Sequence, residues 1–323
     1  MTSDSRNTRI VILGAAGFIG FHLAKTFIDA GYNVLGVDNF LRGKNDEPYS
    51  KLSSSANCKF INLDLSIESA YKNLFQNGDL VYNCAALNGT QNFYSNPLSV
   101  IENSAIPSIY AAKYAGLAKV KRYTYFGSSE SYAGGLSLGL IPIPTPESIP
   151  LALPDVSEVR WSYAASKTMG EVAAFAAKKE LDLTIQILRI HNVYGPRMGD
   201  KHVIPDLIQK FRNKDYSVHG VNETRSFFYI QDLIEVLLRL AVLENVPEVL
   251  NVGSMSEMRV GDLAVLIARI LNTPGEIVPI EGFSGSVLRR CPDTSLLKSI
   301  VDLPETPIEI GLAKTIEWYV NHK

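Results

Sequence analysis

The sequence predicts an α/β fold organised as a doubly wound parallel sheet, and three observations carry that prediction. Short apolar and β-branched runs recur along the chain with helical stretches between them. The first run leads directly into Gly14-Ala15-Ala16-Gly17-Phe18-Ile19-Gly20, and the second ends on the carboxylate Asp38. A length of 323 residues suits one large α/β domain with a smaller one beside it. With 46% hydrophobic and 20% charged residues the composition is that of a globular protein, which excludes disordered and low-complexity readings. The net charge of −2 gives no electrostatic reason to expect nucleic acid or an anionic membrane as partner.

In chain order, strands are expected at 9–13, 33–37, 59–63, 80–83, 122–126, 184–190 and 249–252. Helices are expected at 18–30, 66–75, 106–115, 163–180 and 230–243. Two stretches break the alternation. Residues 134–154 are crowded with Gly and Pro and are read as a long ordered loop with the placement of a lid. After residue 190 the pattern loosens as far as Gly220, as if the chain leaves the sheet to build a second domain. The division expected is 1–190 with about 226–255 for the sheet domain, and about 191–225 with 256–323 for a smaller, interleaved C-terminal substrate domain. No apolar run is long enough to span a bilayer and residues 1–6 lack the form of a secretory signal, so a cytoplasmic setting is expected. Cys58, Cys84 and Cys291 are odd in number and widely spaced, which fits reduced thiols, and the five histidines show no ligand spacing, so no metal is expected.

A strand, a glycine turn and a helix in succession leave free backbone N–H groups at the positive end of the helix dipole, a seat for a pyrophosphate. Gly14, Gly17, Phe18, Ile19 and Gly20 form that seat, in the manner of a Rossmann dinucleotide site. Asp38, with Asn39 beside it, stands where a ribose-binding acid is expected. Its carboxylate would accept from both ribose hydroxyls and repel a 2′-phosphate, so NAD is expected over NADP, although Arg42 lies close by.

Tyr163 and Lys167, four apart on an Ala-rich helix, share one face about a turn from each other. A neighbouring ammonium favours phenolate, so Lys167 is expected to lower the Tyr163 pKa and let the phenol carry a hydroxyl proton. The strand at 122–126 runs into Gly127-Ser128-Ser129-Glu130, at the carboxyl end where ligands meet such sheets. Strand alternation would turn Ser128 and Glu130 to the same side, the first to orient an oxygen and the second as another acid or base; capping of the next segment is the competing role.

Together with Arg189-Ile190-His191-Asn192-Val193-Tyr194-Gly195-Pro196 and Arg225-Ser226-Phe227-Phe228-Tyr229-Ile230-Gln231-Asp232, these motifs resemble the extended short-chain dehydrogenase/reductases, and within them the NAD-dependent epimerase/dehydratase family acting on nucleotide sugars. The resemblance implies that Tyr163 is the catalytic base, that Lys167 holds the nicotinamide ribose and that Ser128 bonds the sugar's 4-oxygen. It puts Asp64 and Leu65 at the adenine and Asn83-Cys84-Ala85-Ala86 in a turn lining the cofactor, with Ala85 in contact. Asn192, Arg225 and Arg290 match residues holding the sugar diphosphate, with Arg289 able to stand in for Arg290, and Ser129 falls among the substrate contacts. The Ser128-Ser129-Glu130 triplet is similar to that of UDP-glucuronate decarboxylases and GDP-mannose dehydratases. The implied reaction is transient oxidation of the sugar C4 hydroxyl to a 4-ketone, with Glu130 available for dehydration, decarboxylation or C5 epimerisation of a UDP-, GDP- or dTDP-linked sugar. A plain 4-epimerase, a non-catalytic NAD-binding protein and an NADP-linked keto-sugar reductase are the alternatives. Ala-rich helices at 106–115 and 163–180 suit a homodimer.

Overall fold

A computed structural model describes residues 8–282, 286–302 and 305–322; residues 1–6, expected above to lack a secretory signal, lie outside them. The first part of the chain runs β1 (Arg9–Leu13), α1 (Phe18–Asp29), β2 (Asn33–Asp38), α2 (Glu47–Ser53), β3 (Cys58–Asn62), β4 (Leu80–Asn83), α3 (Thr90–Ser95), α4 (Pro97–Glu102), α5 (Ala105–Leu117), β5 (Arg122–Ser128), α6 (Glu130–Ser137), α7 (Ser162–Leu181) and β6 (Ile185–Ile190). It continues with β7 (Val193–Tyr194), α8 (Val203–Arg212), β8 (Ser217–His219), β9 (Thr224–Ser226), β10 (Phe228–Tyr229), α9 (Ile230–Val242), β11 (Val249–Val252), β12 (Glu257–Arg259), α10 (Val260–Ile270), β13 (Val278–Ile280), β14 (Arg289–Arg290), α11 (Ser295–Ile300) and α12 (Ile308–Asn321).

Among the described residues a seven-stranded parallel sheet has the order β3-β2-β1-β4-β5-β6-β11. Ile10, Val11, Ile12 and Leu13 of β1 are fully buried, the unbroken apolar pattern of a strand covered on both faces. One face packs against α1 and α9 through Leu23, Phe27, Leu233 and Leu237, the other against α5 and α7 through Ala111, Ala115, Ala174 and Ala177. The chain reverses its direction of travel across the sheet between β1 and β4, which opens a crevice at their carboxyl ends. Leu13 pairs with both Val37 and Asn83, so Gly14, Asp38 and Cys84 emerge at one level around that crevice. Over it sit the short sheets β12-β9-β14 and β13-β8, with α8 and α10 packed beside them. β11 returns to the edge of the main sheet, so the two groups of elements interleave along the chain.

Several expectations are corrected. In place of a helix at 66–75 there is a single 3₁₀ turn, Glu68–Tyr71. Tyr71 is buried there and its hydroxyl donates to the Leu65 and Pro107 carbonyls, which ties the segment down as a compact connection. The loop expected from residue 134 begins later, because Gly134 and Gly135 lie within α6. A Cβ on Gly134 would stand 1.9 Å from the Ala152 carbonyl oxygen, so this glycine admits the returning loop rather than breaking the helix. The stretch after residue 190 also holds α8, whose Ile204, Leu207, Ile208 and Phe211 form a buried stripe at helical spacing.

Candidate active site

A cleft of about 1140 Å³ follows the carboxyl ends of the strands, and all the residues singled out above for cofactor, catalysis or substrate line it except Asn83 and Arg289. Asn83 is fully buried, donating to the Tyr123 hydroxyl at 2.9 Å and accepting from the Ala85 N–H, so it shapes the turn while Cys84, Ala85 and Ala86 face the cleft.

At one end the glycine turn fits a dinucleotide. No side chain caps the start of α1, so the cleft-lining backbone of Phe18, Ile19 and Gly20 keeps donors at the positive end of the helix. A Cβ on Gly20 would lie 2.1 Å from the Gly14 carbonyl oxygen, so the turn closes this tightly only around glycine. Asp38 accepts from the Ala16 and Phe40 N–H groups at 2.9 and 2.8 Å, and burial, opposed by those bonds, pushes its carboxyl pKa up. Asn39 lies beside it, and Asp64 and Leu65 form the next part of the wall.

In the middle, Tyr163 packs against Phe93 with ring centroids 4.9 Å apart. Lys167 is buried, donates to the Phe126 carbonyl at 2.7 Å and stands 5.8 Å from the Tyr163 ring centroid. The expected effect of the lysine on the phenol is not found. Burial pushes the Tyr163 pKa up and Glu130 adds to this, while the Arg42 guanidinium and a Ser128 hydrogen bond pull it down by less. Burial brings the Lys167 ammonium itself down to about 8. The ammonium points to the end of β5, where one of its three N–H donors is taken by the Phe126 carbonyl.

At the far end Ser128 closes β5 and Glu130 opens α6, so they meet through a strand-to-helix corner rather than through strand alternation. The Ser128 hydroxyl accepts from the Glu130 N–H at 3.2 Å, the capping role and the cleft-lining role being combined. Glu130 is gripped by Arg290 at 2.6 Å and Arg160 at 3.1 Å. Burial alone would raise its pKa, but the two guanidiniums bring it down to about 2. A carboxylate held this way carries no proton near neutrality. Arg290, not Arg289, turns inward, since Arg289 is exposed and paired with Glu257. Ser129 is near Arg290 at 3.4 Å. Arg225 is held by Glu223 at 2.6 Å and by Ser286, and Asn192 donates to the Ser226 carbonyl.

The sequence reading did not assign roles to Arg160, Phe93 or Arg197. Arg197 joins the Asp46 carboxylate to the carbonyls of Ala16 and Lys44, and its place directly after Gly195-Pro196 was the available signal. Phe93 had none, because its meeting with Tyr163 depends on how α3 docks. Among the described residues no group of acidic, His or Cys side chains forms a metal site, and no helix is long and apolar enough to cross a membrane.

With that fold and cleft, residues 10–253 match the NAD dependent epimerase/dehydratase family, and the chain belongs to it. It is 29% identical over 324 residues to a UDP-N-acetyl-alpha-D-glucosaminuronate decarboxylase of Bacillus cytotoxicus, covering 96% of this chain and 97% of that one. It is also 29% identical to UDP-glucuronic acid decarboxylase 1 of Xenopus tropicalis, over 98% of this chain and 73% of the relative. In fold it resembles the dTDP-glucose 4,6-dehydratase of Streptomyces venezuelae, solved with NAD bound, at a TM-score of 0.87 and 19% identity over 98% of each chain. The protein is accordingly an NAD-dependent enzyme of the epimerase/dehydratase type.

Proposed function

We propose that this enzyme acts on a nucleoside diphosphate sugar whose C5 carries a carboxylate, and that oxidation at C4 leads to loss of that carboxylate as carbon dioxide. The observation that carries the reading is Glu130 held ionised between Arg160 and Arg290, which leaves a net positive cluster where the sugar would lie. A carboxylate on the substrate suits such a cluster better than a neutral hexose does. The decarboxylases among the relatives support the same choice.

Bound NAD would supply the hydride acceptor, and later the donor, at C4. Tyr163 is assigned the C4 hydroxyl proton, with Ser128 holding the oxygen. A ketone at C4 makes the C5 substituent a β-keto acid; the bond from C5 to the carboxylate breaks, and its electron pair is taken up as an enolate at the C4 oxygen. A proton then adds at C5. Lys167 is assigned to the nicotinamide ribose, and Asn192, Arg225 and Arg290 to the diphosphate and sugar, guanidiniums being matched to phosphate and carboxylate oxygens. The lobes assigned to these tasks are 1–190 with about 226–255 for NAD, and about 191–225 with 256–323 for the nucleotide sugar. A homodimer in the cytoplasm is part of the same reading.

The test is mass and NMR analysis of products from UDP-, GDP- and dTDP-linked uronates and hexoses. Loss of carbon dioxide from a uronate is expected. Loss of water from a hexose, or an unchanged mass with an inverted C4, would replace this reading. Tyr163→Phe should lower turnover by about 10²- to 10⁴-fold with NAD still bound.

A further inference from the structure

Arg42 lies in the loop after β2, four residues beyond Asp38, and reaches across the cleft to the segment between β7 and α8. Its Nη2 is 3.0 Å from His202 Nε2. The approach uses a glycine: a Cβ on Gly199 would stand 2.9 Å from the same Nη2. Two neighbouring cations of this crossing are neutralised, Lys44 by Asp200 and Arg197 by Asp46, while Lys201 donates to the neutral Gln91. Arg42 is not, since among the described residues no carboxylate lies within salt-bridge distance of it. His202 cannot supply the missing charge; burial and then Arg42 bring its pKa down to about 4, so near neutrality it is an uncharged acceptor. A half-buried guanidinium without a counter-anion is costly, and burial accordingly pushes the Arg42 pKa down.

The direction in which Arg42 points narrows the anion. It starts four residues after Asp38, and it lines the same cleft as Tyr163. A dinucleotide with one ribose at Asp38 and its nicotinamide at Tyr163 has its pyrophosphate between the two, over the Gly14–Gly20 turn. A 2′-phosphate would instead sit at Asp38 itself. We propose that Arg42 is a second pyrophosphate-binding group for NAD, on the wall opposite the glycine turn, and that its bond to His202 fastens the far side of the cleft over the bound cofactor.

This rests on NAD as cofactor and not on the sugar chemistry above, so its test reads binding. On the intact protein, exchange of bound NAD for labelled NAD is followed, and affinities for NAD, NADP, ADP, adenosine and UDP are measured, for the parent, Arg42→Gln, Arg42→Lys and His202→Ala. Arg42→Gln should speed NAD exchange and weaken NAD and ADP by about tenfold to a hundredfold, the size of a charge-assisted hydrogen bond, while adenosine and UDP are unchanged. Arg42→Lys should recover part of the loss, and His202→Ala should speed NAD exchange by less than Arg42→Gln. Unchanged NAD and ADP affinities overturn the proposal. So does an equal loss for adenosine, which would mean that the loop shapes the adenosine pocket only. A loss confined to UDP would assign Arg42 to the substrate diphosphate, and a loss far larger for NADP would assign it to a 2′-phosphate; either also overturns the proposal. If Arg42→Gln unfolds at a lower temperature without added ligand, Arg42→Lys decides by the same comparison.

Discussion

Lys167 keeps a charge that its surroundings oppose. The ammonium is buried, one carbonyl accepts from it, and its pKa falls to about 8. As pH rises through about 8 it loses its proton, and with it the strongest donor it can offer a ribose hydroxyl. NAD affinity should therefore weaken from about pH 7 to about pH 9 in the parent and stay flat, and lower, in Lys167→Met, as read by NAD titration at each pH. Stability runs the opposite way. Between about 8 in the folded chain and about 10.4 in the unfolded one, the unfolded state binds more protons at this site, so Lys167 adds stability as pH climbs through that window. A parent protein whose NAD affinity is level across this range would contradict the assignment. Glu130 is the complementary case: its carboxylate is held ionised by two arginines that sequence spacing could not bring to it, because they arrive from the turn before α7 and from β14.

At the scale of elements, the β1–turn–α1 unit is the most legible part of the chain, since strand, glycine spacing and helix are local in sequence and their geometry follows from backbone sterics. Gly20 is where that geometry is tightest. Gly20→Ala puts a Cβ against the Gly14 carbonyl, so the turn must shift. A loss of about 1–3 kcal/mol by urea unfolding is expected, with weaker NAD binding from the displaced N–H groups. The α6 segment is the opposite case. Its paired glycines read as breakers, yet Gly134 lets Ala152 and Gly135 lets Ile141 approach a helix that stays intact. The loop they admit is then locked: Asn251 donates to the Thr145 and Asp293 carbonyls, and Glu147 accepts from the Asn251 N–H. Since Thr145 also bonds the Cys291 carbonyl, this loop holds the segment that carries Arg290, a structural task rather than that of a lid.

For the whole molecule, α5 and α7 cover the sheet with alanine and turn a second apolar face outward. Ile109 and Leu117 on α5, and Met169, Val172 and Phe175 on α7, are exposed although α5 and α7 pack directly together. These exposed apolar side chains on two adjacent helices fit a second copy of the chain. Light scattering behind size exclusion should give twice the chain mass, and Val172→Asp should shift it to the monomer with NAD still bound. A monomeric parent would refute the dimer.

The seven strands of the main sheet, the glycine turn after the first of them, and the places of Asp38, Tyr163 and Lys167 along the cleft were readable from residues alone, because each rests on periodicity or on spacing within one or two elements. The charge state of Glu130, the raised Tyr163 pKa, the choice of Arg290 over Arg289 and the crossing of Arg42 to His202 were not. Each depends on groups far apart in the chain meeting out of water, and desolvation and long-range pairing are properties of the assembled fold.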